Sequence, residues 1–407
     1  MKKKMKKNTF LKSPPLLVKI AIAIILGSLL GNFMQSLPFL MRVSNTLSGF
    51  FDQFIRFMVP LIIVGLVTPA IAETGERAGK MLLTTVGIAY LSTFLAGTYA
   101  FSISSNIFPH LIAPNSMQAI SVNAASFPAL VDIRIPAIFD VTSALALSFV
   151  LGLGMVFSKS EHLKQVSIDF KNVITKIIAS GIVPLLPFYI FGMFLDMSAT
   201  GKIKPILLAF AAIVLIDFVL TIILIIIQYI VAGIISGRNP FKALIKMMPA
   251  YFTALGTASS AATIPVTRNQ AIAAGVRQEV ADFTVPLCAT VHLAGSTLKI
   301  VDCSVALLIA SGSLTSVNFA TFIPFILMLG IVMVAAPGVP GGAVMASLAV
   351  AESQLGFGKE QIALLISLYI ATDSFGTACN VTGDGAISLI INKIFPSSKK
   401  GDETNIA

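Results

Sequence analysis

Long apolar runs separated by short polar breaks set the pattern of this chain. The runs Leu16 to Phe33, Phe50 to Ile71, Gly79 to Phe108, Ala137 to Phe157, Ile174 to Leu195 and Pro205 to Ile235 each approach the roughly 20 residues that a bilayer-crossing helix needs. The stretch Pro109 to Pro136 carries Pro, Asn and Ser and is too polar to span. After Gly237 the pattern changes. The apolar segments Phe241 to Thr267 and Phe322 to Leu355 are broken near their middles by GTASSAATIP and AAPGVPGG. Each arm is about 10 to 15 residues, too short to cross, so each segment predicts a re-entrant hairpin. Non-helical backbone at membrane depth survives only where protein or water satisfies it, which makes paired broken segments pointers to a binding site. A long helix follows each hairpin, Asp282 to Ala310 and Glu360 to Ile394. Hairpin plus helix thus occurs twice, and the single span between the hairpins makes them enter from opposite faces. The pattern predicts an all-α polytopic membrane protein of eight transmembrane helices plus two re-entrant helical hairpins, with an inverted repeat.

Composition sharpens this picture. Of 407 residues, 56% are hydrophobic and only 11% are charged, with a mean hydropathy of +0.92, against about 25% charged in soluble domains. The net charge of +10 is not a nucleic-acid signal, because the basic residues gather in the polar breaks. The N-terminus holds Lys2, Lys3, Lys4, Lys6 and Lys7, and alternate breaks hold Arg77 and Lys80, then Lys159, Lys164 and Lys171, then Arg238, Lys242 and Lys246. The intervening breaks hold Arg42, then Arg134, then Lys202 and Lys204. The excess predicts cytoplasmic N- and C-termini. The basic start followed by an apolar run is shared with signal peptides, but no clean small-x-small cleavage site stands out, so a retained first helix is expected. Cys288, Cys303 and Cys379 show no CxxC spacing, and His110, His162 and His292 are scattered, so neither a disulfide framework nor a zinc site is supported.

The richest stretch is ATDSFGTACNVTGDGA, from Ala371 to Ala386. Asp373, Thr377, Asn380 and Asp384 follow one another at spacings of four, three and four, on one helical face. Flanking apolar sequence puts both acids where each costs about 2.5 to 3.5 kcal/mol on insertion scales. A polar stripe that glues two helices needs one Asn or Thr rather than two acids, so a cation or substrate site is the better account. Helix arms starting at a hairpin tip aim backbone N–H groups and a positive dipole end at a common centre, which suits a carboxylate. Ser259 and Ser260 add hydroxyls there, small-residue packing being the bland alternative. Asp373 suits an ammonium group, Asn380 a carboxylate, and Asp384 a sodium ion. An α-amino acid carries the first two partners.

On these residues the chain resembles the dicarboxylate/amino acid:cation symporter family, which includes glutamate/aspartate and serine/threonine sodium symporters. The matching pieces are SSAATIPVT at Ser259, PLCATVHLAGS from Pro286 to Ser296, GVPGGA from Gly338 to Ala343, DSFGTACNVTGD from Asp373 to Asp384, and DQFIRFMVPLII in the second helix. The resemblance implies a homotrimer in a bacterial plasma (inner) membrane, with an elevator-type slide of a transport unit against a rigid scaffold. It divides the chain into scaffold helices one and two (1–78), a third helix of the transport unit with an extracellular loop (79–136), scaffold helices four and five (137–200), a sixth helix of the transport unit (201–240), the transport core (241–396) and a cytoplasmic tail (397–407). It assigns Asp373 to the substrate amino group, Thr377 to its side-chain region, and Asn380 to its carboxylate and a sodium site. Ser260 and backbone from Val339 and Pro340 to Gly341 would line the carboxylate. Asp384 would ligate Na⁺, helped by main-chain oxygens near His292 and Asn380.

Two departures decide what is expected of the pocket. Members that take acidic amino acids carry an Arg one residue before the position of Thr377, and here that residue is Gly376. Some members place an Arg before the hairpin serines, where this chain has Ala258. A buried side-chain carboxylate would lack its bidentate partner, so sodium-coupled symport of small neutral amino acids (serine, threonine, alanine) is expected. The alternative is a sodium- or proton-coupled glutamate/aspartate or dicarboxylate symporter that uses Lys299. The family's NMDGT reads His292-Leu293-Ala294-Gly295-Ser296, so one sodium site lacks its acid. Lys299 and Asp302, three apart, are either a self-neutralising intrahelical pair or, with His292, part of an altered coupling.

A hydrolase needs a nucleophile and base, and His292 has no Ser or Cys at a telling spacing in the sequence, so no enzyme is expected. A passive channel is separated from a carrier by counterflow of labelled substrate.

Overall fold

The computed structural model describes residues 16–34, 36–76, 80–112, 127–131, 133–139, 141–199, 203–313, 316–334, 336 and 341–396. Every regular element among them is helical. They are α1 (Leu16–Met34), α2 (Pro38–Glu76), α3 (Lys80–Leu111), α4 (Val141–Ser158), α5 (Glu161–Ile177), α6 (Val183–Ala199), α7 (Ile203–Ser236), α8 (Pro240–Thr257), α9 (Ser260–Ala273), α10 (Gln278–Val291), α11 (Ala294–Ala310), α12 (Phe319–Met333), α13 (Gly342–Leu355) and α14 (Lys359–Ile394).

Among the described residues, six helical stretches are long and apolar enough to cross a membrane: Pro38–Pro69, Lys80–Leu111, Glu161–Ala199, Phe210–Ser236, Gln278–Ala310 and Lys359–Ile394. The first and fourth of the eight expected spans appear as the shorter apolar helices Val18–Gly31 and Ala146–Ser158. Two boundaries differ from the sequence pattern for identifiable reasons. The polar entry to the second span is itself helical, because its polar groups find partners: Arg42 Nε donates to the Pro128 carbonyl at 3.2 Å, and Asn45 Nδ2 donates to Asp196 Oδ1 at 2.9 Å. The fifth span begins far earlier than Ile174. Ser160 caps α5 by accepting from Leu163 N, and the amphipathic α5 runs into α6 through a π-helical turn, Ile178–Ile182.

The two broken segments form helical hairpins. In the first, α8 ends where Ala258 turns left-handed (φ 47°) and Ser259 starts α9 by accepting from Ala262 N. In the second, α12 and α13 pack against each other, and Gly341 (φ 76°) caps α13. The span after the first hairpin is broken into α10 and α11 at His292 and Leu293. Packing falls into two sets. α1 lies on α6, and α2 on α4, α5 and α6, while α11 lies on α3, and α14 on α7, α8, α10 and α11. Every residue of α11 is buried. Large apolar side chains such as Phe157 (82% exposed), Ile234 (77%) and Phe188 (73%) line the outside, which is costly in water and comfortable in lipid.

Candidate substrate and cation site

Three chain breaks converge on α14. A small cavity is lined by Ala258, Ser259 and Ser260 from the first tip, by Ala289, Leu293 and Ser296 around the α10–α11 break, by Ala336 and Ala343 beside the second tip, and by Tyr369, Asp373, Thr377 and Asn380 of α14. The helical spacing read from the sequence therefore does put the three polar α14 residues on one wall. Ser259 and Ser260 lie opposite, at the start of α9. Val339 and Pro340 lie outside the described residues.

Each polar wall residue is held by its neighbours. Asp373 Oδ2 accepts from the backbone N–H of Gly341 at 2.9 Å, joining the second hairpin tip to α14. Asn380 Oδ1 accepts from Gly295 N at 2.8 Å and from Ser296 N at 3.4 Å, so this side chain satisfies the first N–H groups of α11. Its Nδ2 donates to Ser296 Oγ at 3.0 Å, and Tyr369 Oη donates to the same oxygen at 3.0 Å. Asn380 is thus both pocket wall and helix cap.

Asp384 lies one turn further along α14, fully buried. Its Oδ1 is 2.9 Å from His292 Nδ1, and His292 Nε2 is 3.0 Å from Ser92 Oγ on α3. Gln228 of α7 donates from Nε2 to the same serine at 3.2 Å. A carboxylate only accepts, so His292 Nδ1 carries the proton of its contact with Asp384. The ring fits because residue 383 is glycine: a Cβ there would stand 2.6 Å from His292 Cε1 and 2.7 Å from Gln228 Oε1. Asp384 Oδ2, Gln228 Oε1 and Thr93 Oγ1 are buried without a hydrogen-bond partner. These are hard oxygen donors of the kind that suits an alkali cation. His292 meets Asp384 through its side chain, where the sequence pointed to main-chain oxygen nearby.

Ser92 stands 200 positions from His292 in the chain, with no local mark of their contact, and Ser92, His292 and Asp384 fall in the order of a nucleophilic relay. The surroundings do not support that chemistry. Ser92 stands in the middle of α3, whose regular helix already engages the backbone N–H groups that an oxyanion would need.

The remaining candidates separate. Lys299 and Asp302 are both fully buried on α11, but neither serves the other as ion-pair partner. Lys299 Nζ pairs with Asp217 Oδ2 of α7, and Asp302 Oδ1 accepts from Ser104 Oγ of α3. Three residues along a helix are about 60° apart in azimuth, enough to aim two side chains at different neighbouring helices. Gly376 faces this pair rather than the cavity: a Cβ on it would lie 2.8 Å from Lys299 Cε and 2.9 Å from Cδ. Ser92, Asp217 and Gln228 went unnoticed in the sequence. The available signal was an acid inside the apolar run IVLIDFVL, which by the rule applied to Asp373 is a candidate functional group.

Comparison with known proteins places the sequence. Residues 16–394 match the sodium:dicarboxylate symporter family. A serine/threonine transporter SstT of Streptococcus thermophilus is 25% identical over 398 residues, covering 93% of this chain and 96% of that protein. A serine/threonine transporter SstT of Acinetobacter baumannii is 30% identical over 392 residues, covering 91% and 94%. One from Campylobacter jejuni is 23% identical over 395 residues, covering 93% and 95%. With hairpins, broken helix and polar α14 wall all inside the matched region, the chain belongs to the sodium:dicarboxylate symporter family.

Proposed function

We propose that this symporter carries small neutral amino acids, of the serine, threonine and alanine type, into the cell together with Na⁺. The observation that carries the reading is the pocket's charge inventory. Asp373 is the one carboxylate on the described wall, and none of the described lining residues is Lys or Arg. An α-amino acid presents an ammonium for Asp373 and a carboxylate for the N-terminal ends of α9 and α13, where unpaired N–H groups and the dipole favour an anion. A second, side-chain carboxylate would be buried without a cation, at a cost of several kcal/mol. Lys299, the cation required by the acidic-substrate alternative, is engaged by Asp217. The names of the SstT relatives point the same way.

Sodium is the coupled ion in this reading. Asp384 supplies the charge, and the unpartnered oxygens of Gln228 and Thr93 extend the donor set across α7 and α3. The protein works as a homotrimer with both termini in the cytoplasm. α1, α2 and α4 to α6 form its scaffold, and the helices packed around α11 and α14 slide as the transport unit. Packing that is denser within each set than across the α2–α13, α1–α14 and α6–α14 contacts between them supports that division.

Uptake of labelled serine, threonine, alanine, aspartate and succinate into proteoliposomes, under separate Na⁺ and H⁺ gradients, tests the reading. Sodium-driven uptake of the three neutral amino acids is expected. Aspartate binding tighter than serine binding would overturn it.

A further inference from the structure

We propose that Asp217 is a specificity-setting positioning residue, which holds the ammonium of Lys299 out of the amino-acid pocket and so leaves Asp373 to the substrate. The inference rests on the pocket reading above and extends it to a residue outside the cavity wall.

Four observations carry it. Lys299 is one helical turn beyond Ser296, a wall residue, along α11. Its stem lies against Gly376, which sits three residues after Asp373 and four before Asn380, so the lysine passes behind the polar wall of the pocket. Lys299 and Asp217 are both fully buried, so Lys299 has no route to water as an alternative to an acid partner. Finally, the pair is enclosed by aromatic rings. Lys299 Nζ stands 5.8 Å from the centre of the Phe375 ring, which packs edge-on against Phe218, the neighbour of Asp217, with centroids 5.1 Å apart.

The chemistry follows from these distances. A lysine ammonium and the α-ammonium of an amino acid are the same ligand to a carboxylate. Without Asp217, two acids that already feel the Lys299 charge are left to it: Asp302, one turn along α11 with one oxygen unpartnered, and Asp373, whose Oδ2 is held by a backbone N–H. The packing of the lysine stem on Gly376, three residues from Asp373, favours the second. A released Lys299 would bind Asp373 in place of the substrate amine and act as a tethered competitive inhibitor. Gly376 is part of the device, because any side chain there would collide with the lysine stem.

The test uses the full-length protein in proteoliposomes with labelled serine under a Na⁺ gradient. Asp217→Asn should raise KM by about tenfold or more while Vmax per reconstituted protein stays within about twofold, the signature of lost ground-state binding. Removing the tethered competitor as well, in Asp217→Asn/Lys299→Met, should return KM to within about threefold of wild type. A merely structural pair predicts otherwise: lower protein yield and Vmax, with KM unmoved and no rescue, and that result overturns the inference. Should Asp217→Asn not assemble, Asp217→Glu keeps the charge pair and pushes the ammonium one methylene toward Gly376. A KM raised about threefold supports the proposal, and an unchanged KM counts against it. A wild-type protein that takes up no neutral amino acid would instead remove the pocket reading, and this inference with it.

Discussion

His292 Nδ1 and Asp384 Oδ1 stand 2.9 Å apart although 92 positions separate them in the chain, and both side chains are fully buried. The contact joins the break between α10 and α11 to the last helix, and through Ser92 and Gln228 it reaches α3 and α7. Asp384→Asn keeps the shape and a hydrogen-bond acceptor but removes the charge a sodium ion needs. Sodium-driven uptake should be lost while size-exclusion chromatography shows an unchanged oligomer. Uptake at wild-type rates would move the ion site elsewhere.

Asp373→Ala leaves the substrate ammonium buried without a counter-ion. A broken buried pair costs about 3 to 5 kcal/mol, enough to erase measurable serine binding. Isothermal titration in detergent, with saturating Na⁺, is the direct check. Because Gly341 N also loses its acceptor, the second hairpin tip should exchange amide hydrogens faster in the same variant.

Gly376→Arg looks, from the sequence, like the change that would turn the pocket toward aspartate. The structure puts an obstacle in its way, since the first carbon of any side chain meets the Lys299 stem at 2.8 Å. The single variant should lose serine uptake without gaining aspartate uptake. Gly376→Arg/Lys299→Ala makes the room, and aspartate uptake should appear only there. Aspartate transport by the single variant would show that Lys299 yields readily.

Ser104→Ala removes the hydroxyl that donates to Asp302, whose other oxygen already lacks a partner. Leaving a buried acceptor unsatisfied costs about 1 to 3 kcal/mol, more for a charged group. The melting temperature in detergent should fall, while KM for serine stays put because neither residue lines the cavity. A changed KM with an unchanged melting temperature would assign Asp302 to the substrate pocket.

What could be read from the sequence divides along the range of the forces involved. The hairpins announce themselves through Gly and Pro in short apolar segments, and the α14 wall through 3.6-residue periodicity; both are local properties. Lys299 and Asp302 were misleading for the same reason. A spacing of three suggests a pair, yet on a helix buried on every side each residue answers to whichever neighbour it faces, and α7 and α3 are distant in the chain. Ser92 and Gln228 carried no local mark at all. The amphipathic α5 was missed because its polar character hides its continuity with the apolar α6.

The 2.9 Å bond from Gly341 N to Asp373 gives one carboxylate two claimants. On the proposed reading the substrate ammonium and the first residue of the second hairpin's α13 side compete for the same oxygens, so whatever binds Asp373 also bears on where Gly341 sits.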